Sequence, residues 1–261
     1  NDITRKTVAR LGQDPSLADN GKTVKVDNIA HVSALSTGSL HAFSLAAAVQ
    51  SSRPAENSED SDSFGLGVSG AVGINMVDTE TEALIVGLDD SANTAGSGDI
   101  AVTSLDDTYM FSLVGAVALM LPSSEGGKAG LAGAFAMNSL DGHVKSEILR
   151  STINREKLAV QSHRSGKIRS ITAGGSGARA GSGFSASVAG AVSLNSIDHD
   201  IYAGITDNCT INASTGVTIL AEDKSIIYAD AGGVALLLSQ GGSGGLSFGL
   251  SVVKNDISTD T

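Results

Sequence analysis

Residues 64–75 read FGLGVSGAVGIN, and the fold turns on how this stretch is read. A helix fares badly. An internal glycine costs about 1 kcal/mol relative to alanine, and Gly65, Gly67, Gly70 and Gly73 all fall inside the apolar run. As a strand the stretch divides cleanly, because successive side chains point to opposite faces. Phe64, Leu66, Val68, Gly70, Val72 and Ile74 share one face; Gly65, Gly67, Ser69, Ala71 and Gly73 share the other. The bulky apolar face is expected to enter a shared interior. The small face lacks the long polar side chains of a half-exposed strand. Small residues also weaken strand propensity, so something must pack against them. The preferred expectation is a crowded internal layer of the same chain. The sharper one is a flat outer surface for lateral assembly.

The stretch recurs as GLAGAFAMN (130–138), FSASVAGAVSLN (184–195) and LSFGLSVVKN (246–255). Each copy ends on an asparagine followed by any residue, an aliphatic residue and Asp, Ser or Thr. The same motif opens the chain, so it stands at Asn1, Asn75, Asn138, Asn195 and Asn255. The spacings are 74, 63, 57 and 60 residues (75−1, 138−75, 195−138, 255−195). Self-similarity at such a period marks a solenoid or another repeat array. It gives a single repeat domain over residues 1–261, with repeats 1–74, 75–137, 138–194 and 195–254 and the start of a fifth at 255–261.

A second apolar run lies upstream of each motif: LHAFSLAAAV (40–49), YMFSLVGAVALML (109–121), IRSITAGGSGA (168–178) and IIYADAGGVALLL (226–238). Before it comes a short alternating segment, such as GSGDIAVTS (96–104) or ASTGVTILA (213–221). Each repeat therefore reads as four extended segments. Asparagine tolerates left-handed φ and bonds to nearby backbone, so the motif asparagine is expected where strand becomes turn. If repeats stack, these side chains are expected to form an amide ladder. Asp78, Asp141 and Asp198 would mark where the chain returns to solvent. The expected fold is all-β: a β-solenoid, or parallel β-helix, of four repeats of about 60 residues. The alternative is a stack of antiparallel β-hairpins, with the two long runs of each repeat joined through Gly-rich turns.

Composition supports a packed chain. Hydrophobic residues make up 41%, enough for a continuous core, although aromatics are only 3% and tryptophan is absent. Three prolines leave the backbone free to form ladder hydrogen bonds. The formal net charge of −11 and the scattered lysines and arginines argue against nucleic acid as a partner. The longest apolar stretch, residues 111–121, is about half the length of a membrane helix, so membrane insertion is not expected. Cys209 is the single cysteine, which rules out an internal disulfide, and it reads as a small, partly buried apolar residue.

These repeats resemble those of giant bacterial filamentous adhesins, the haemagglutinin-like and leukotoxin-like surface proteins of two-partner secretion systems. The matching residues are 195–205, 214–221, 231–238 and 246–257, with counterparts in every repeat. The long, acidic first repeat and the weakly apolar stretch 171–183 depart from that pattern. The resemblance implies a β-solenoid, commonly right-handed, that is exported and extended from the cell surface.

No catalytic, cofactor-binding or metal-binding constellation stands out. The five histidines are scattered, and His199 between Asp198 and Asp200 reads as part of a solvated turn. GSGARAGSG (175–183) and SQGGSGG (239–245) lack the Lys-Ser/Thr ending of a phosphate loop. The acidic segment 56–63 lacks the spacing of a calcium loop and reads as a solvated connection. The functional expectation is a structural stalk or filament segment of a surface or secreted adhesin, not an enzyme. It would work by repeat stacking and self-association, head to tail or laterally. The alternative is a carbohydrate- or surface-binding module, with a glycan or host-cell surface as partner. A polysaccharide-active enzyme ranks last.

Overall fold

In the computed structural model, residues 1–16, 23–51, 64–92, 98–121, 126–180, 183–239 and 244–261 are described. The acidic segment 56–63 and most of the 239–245 connection lie outside them. Every regular element among the described residues is a strand: β1 (Asp2–Gly12), β2 (Ala30–Ser51), β3 (Gly65–Val86), β4 (Asp99–Leu121), β5 (Lys128–Leu149), β6 (Thr152–Ala180), β7 (Ser185–Thr206), β8 (Thr210–Asp223), β9 (Ile226–Ser239) and β10 (Gly245–Asp260). One sheet has the order β1-β3-β5-β7-β10; the other runs β2-β4-β6-β8, with β9 also pairing with β6. All these pairings are parallel. The chain passes from one sheet to the other and back, adding one rung to each per repeat. This is an all-β parallel solenoid, and the hairpin alternative is set aside because the two long runs of a repeat lie in different sheets.

The four extended segments expected per repeat are corrected to two long strands. The run before the motif asparagine and the segment after it fuse into single strands of 22 residues in β3, β5 and β7, about 70 Å long at about 3.3 Å per residue. The alternating segment and the second apolar run fuse likewise in β4 and β6. The last rung keeps them apart, as β8 and β9, where Asp223 Oδ1 accepts a hydrogen bond from the Ser225 amide and breaks the strand. Fusion follows from pairing: every backbone group along the strand finds a partner one rung away, so nothing favours a turn.

Equivalent stretches lie in register. Val72 pairs with Phe135, Phe135 with Val192, and Val192 with Val252. The facing of these residues corrects the expectation of a shared bulky interior. Val72 is 61% exposed and Val68 60%, whereas Gly65, Gly67, Ser69 and Ala71 are buried. The small face is the internal layer. The two sheets approach so closely there that a Cβ added at Gly174 would overlap backbone of Gly190, and one at Gly130 would lie 3.0 Å from the Gly177 carbonyl oxygen. In this half of the strands size, rather than hydrophobicity, decides which face turns inward.

The interior changes along the strands. At the distal end, toward the β2–β3 connection, it holds Ala71, Val114, Ala116, Ala134 and Ala136. A middle layer carries Val77, Met110, Leu140, Ile168 and Ile197. At the opposite, basal end lies a larger cluster with Ile85, Leu88, Ile100, Ile148, Ile153 and Leu158. Fully burying each such side chain contributes about 1.5–3 kcal/mol, so the basal half supplies most of the hydrophobic stabilisation. Basal corners begin with left-handed residues at equivalent places: Gly87 (φ 71°), Arg150 (φ 47°) and Asp207 (φ 60°).

Candidate functional site: an asparagine spine and a buried charge row

Asn75, Asn138 and Asn195 lie mid-strand and inside, not at a strand-to-turn junction, while Asn1 stands exposed just before β1 and Asn255 exposed within β10. Asn75 is 0% exposed, Asn138 1% and Asn195 3%. Their side chains connect rung to rung: Asn1 Nδ2 donates to Asn75 Oδ1 (2.7 Å), Asn75 to Asn138 (2.8 Å), Asn138 to Asn195 (2.8 Å) and Asn195 to Asn255 (2.9 Å). Within the stack, each amide spends its second proton on a serine hydroxyl. Asn75 reaches Ser112 (3.3 Å), Asn138 reaches Ser170 (3.2 Å) and Asn195 reaches Ser193 (3.1 Å). Only a parallel, in-register stack places the same amide directly above itself at each rung. Asp78, Asp141 and Asp198 are exposed, as expected, but they too sit within strands rather than at turns.

Between the spine and the basal core runs a charged row that the sequence did not reveal. Arg164 and Asp106 form an ion pair of 3.0 Å with both side chains 0% exposed. Arg164 Nη1 also donates to Thr79 Oγ1, and Nε donates to His199 Nε2 at 3.1 Å. Arg5 meets the other oxygen of Asp106 at 3.4 Å. Burial pulls the Arg164 guanidinium below its ordinary pKa, with Asp106 and Asp223 opposing. His199 is buried, which corrects the solvated-turn expectation. Its neighbours Asp198 and Asp200 point out, so strict alternation points His199 in. Its Nδ1 lies 3.2 Å from Asp223 and 3.0 Å from Ser225 Oγ. Burial pushes the Asp223 carboxyl up, but hydrogen bonds from His199, Ser225 and Thr259 outweigh it and hold the group well below the usual carboxylate range.

A second buried pair closes the basal edge. Arg155 Nε and Nη2 each meet one oxygen of Asp90 at 2.7 Å, both side chains being 0% exposed. Arg155 also donates to the Val26 carbonyl (2.7 Å), and Asp90 accepts from the Asn154 amide (3.1 Å). This staples the corner after β3 to the next rung. Arg155 sits beside a register shift between Arg155 and Lys157 that resets which residues point inward, so simple alternation along 152–164 would misplace it.

These arrangements hold the stack together. Both ring nitrogens of His199 are engaged, and the buried carboxylates Asp90 and Asp106 are neutralised by arginines. GSGARA (175–180) continues β6 up to Ala180 rather than forming a loop. Among the described residues no group of three or more His, Cys, Asp or Glu is placed to hold a metal ion. Burial raises the Cys209 thiol pKa, which disfavours the thiolate.

The surface carries the remaining features. Beyond the asparagine row both outer faces turn apolar, with Phe43, Leu45, Val49, Leu236 and Leu238 exposed on one sheet and Leu66, Val68, Val72, Phe248 and Leu250 on the other. On the first of these, the His41 ring lies 5.7 Å from Tyr109 and 6.0 Å from Phe111, and Phe43 lies 5.7 Å from Phe111. Comparison of the chain with protein-family models, curated proteins and solved structures finds no match.

Proposed function

We propose that the chain is a structural stalk or filament segment of a bacterial cell-surface or secreted adhesin, acting by repeat stacking and self-association. One observation carries the reading. Every rung pairs with the next in the same parallel register, and the amide spine runs through all of them without interruption. Such a stack lengthens by about 4.8 Å per rung with no change of geometry, which suits a spacer whose task is reach and stiffness. The extracellular placement is supported by the resemblance of the repeats to filamentous adhesins. Negative-stain electron microscopy over a concentration series tests the reading: rods or fibres are expected, and a compact monomer at the highest concentration overturns it.

The aromatic cluster of His41, Phe43, Tyr109 and Phe111 favours a second reading, a carbohydrate-binding face. Flat exposed rings stack on sugar rings through apolar contact. Binding on a glycan array that disappears in Phe43→Ala would move the assignment to this function. An array without signal leaves the stalk as the sole reading. A polysaccharide-active enzyme is least supported, since the buried carboxylates are locked to arginines.

A further inference from the structure

The two apolar outer faces differ. On the sheet containing β4, β6 and β9, Arg169, Arg179 and Asp230 are exposed within the apolar field. On the sheet of β3, β5, β7 and β10 the field is broken only by Lys254 on its outermost strand. This second face also has relief. One ridge is the registered row Val68, Leu131, Val188; another is Val72, Phe135, Val192. Between them runs a trough made by Gly70, Gly133 and Gly190, again in register. Nothing among the described residues accounts for glycine at the last two: a Cβ added at Gly133 or Gly190 meets none of their atoms within 4 Å. Glycine within a strand costs about 0.5–1 kcal/mol relative to alanine, and here the fold gains nothing in exchange.

We propose that this face binds a second copy of the chain, with the Val72–Phe135–Val192 ridge of each copy seated in the Gly70–Gly133–Gly190 trough of the other. A two-fold axis lying between ridge and trough, parallel to both, makes the fit reciprocal. The area is sufficient. Four strands at about 4.8 Å give a width of about 19 Å, and residues 66–74 extend for about 30 Å. Two such faces bring together about 1,100 Å², above the threshold of about 1,000 Å² for a specific interface. One face alone, about 570 Å², lies at the upper end of the apolar patch of about 300–600 Å² that a typical monomer leaves open, a size that often marks a functional surface. The charges on the opposite face make that face the poorer partner, because each would be desolvated without a matching group. This inference rests on the self-association reading above and names its surface.

Sedimentation velocity over a concentration series, with circular dichroism as the fold control, tests it on the whole chain. Wild type is expected to dimerise. Val192→Lys is expected to weaken association at least tenfold with an unchanged spectrum. The double variant Gly133→Val, Gly190→Val fills the trough where the fold has room, and is expected to weaken association at least tenfold without lowering the thermal midpoint. Val234→Lys, on the opposite face, is expected to leave association intact. Association that survives Val192→Lys but fails in Val234→Lys overturns the choice of face and leaves self-association standing. A wild type that is monomeric throughout overturns both. Flotation with phosphatidylcholine–phosphatidylglycerol vesicles that is abolished by Val192→Lys, in a protein monomeric in solution, would assign the face to lipid and overturn the proposal.

Discussion

An amide buried in a strand is tolerable only when both its protons and its oxygen are met, and the spine meets them from the rungs above and below and from a serine. Asn138→Leu would orphan the Asn75 donor and the Asn195 acceptor together. At about 1–3 kcal/mol for each unsatisfied buried group, urea denaturation should show a loss of about 2–6 kcal/mol. The Asp90–Arg155 pair behaves differently. Arg155→Met should cost about 3–5 kcal/mol by stranding a buried carboxylate, and adding Asp90→Leu should recover much of that; a double variant no better than the single would refute it. Asp223 supplies a pH dependence. Its folded-state pKa lies below its ordinary value of 3.8. Its contribution is therefore complete well above that value and is lost as pH falls through the lower folded-state pKa. The stability gap between wild type and Asp223→Asn should be widest near neutrality and narrow below about pH 4. The recurring asparagine was legible in the sequence because it stands at each repeat. Arg164, Asp106 and Arg155 were not, because none recurs at that spacing, and an isolated charge in a strand ordinarily faces solvent.

At the scale of the strand, the sequence carried the alternation and the spacing from which parallel stacking follows. It hid which face is inside. Burial normally tracks hydrophobicity, but the distal half obeys clearance: glycine, alanine and serine turn inward because the opposing backbone leaves room for little else. The prediction is asymmetric. Gly174→Ala places a methyl against the Gly190 backbone and should destabilise by about 1–3 kcal/mol, as overpacking does. Gly190→Ala adds the same methyl to the opposite side of the same contact, where space is open. It should leave the unfolding midpoint unchanged or raise it. Equal losses in the two variants would show that the sheets are not so closely apposed. Strand length was also illegible. A turn signal such as asparagine is local, whereas the pairing that overrides it comes from residues about 60 positions away.

For the molecule as a whole, each strand contacts its neighbours in the stack and the strands facing it, so stability should be distributed along the axis as in other solenoids. Hydrogen exchange should therefore grade from slow amides in β4, β5 and β6 to fast ones in β1 and β10, and uniform protection would contradict a stack of separable rungs. The amide spine adds a property that none of its members has alone. From Asn1 through Asn195, every Nδ2 donates toward the same end, so the side-chain dipoles point one way and reinforce one another. Two such stacks brought tip to tip in opposite senses would set carbonyl against carbonyl or amine against amine. Lengthening is thus possible in a single polarity, and any assembly built end-on from this unit carries an arrow.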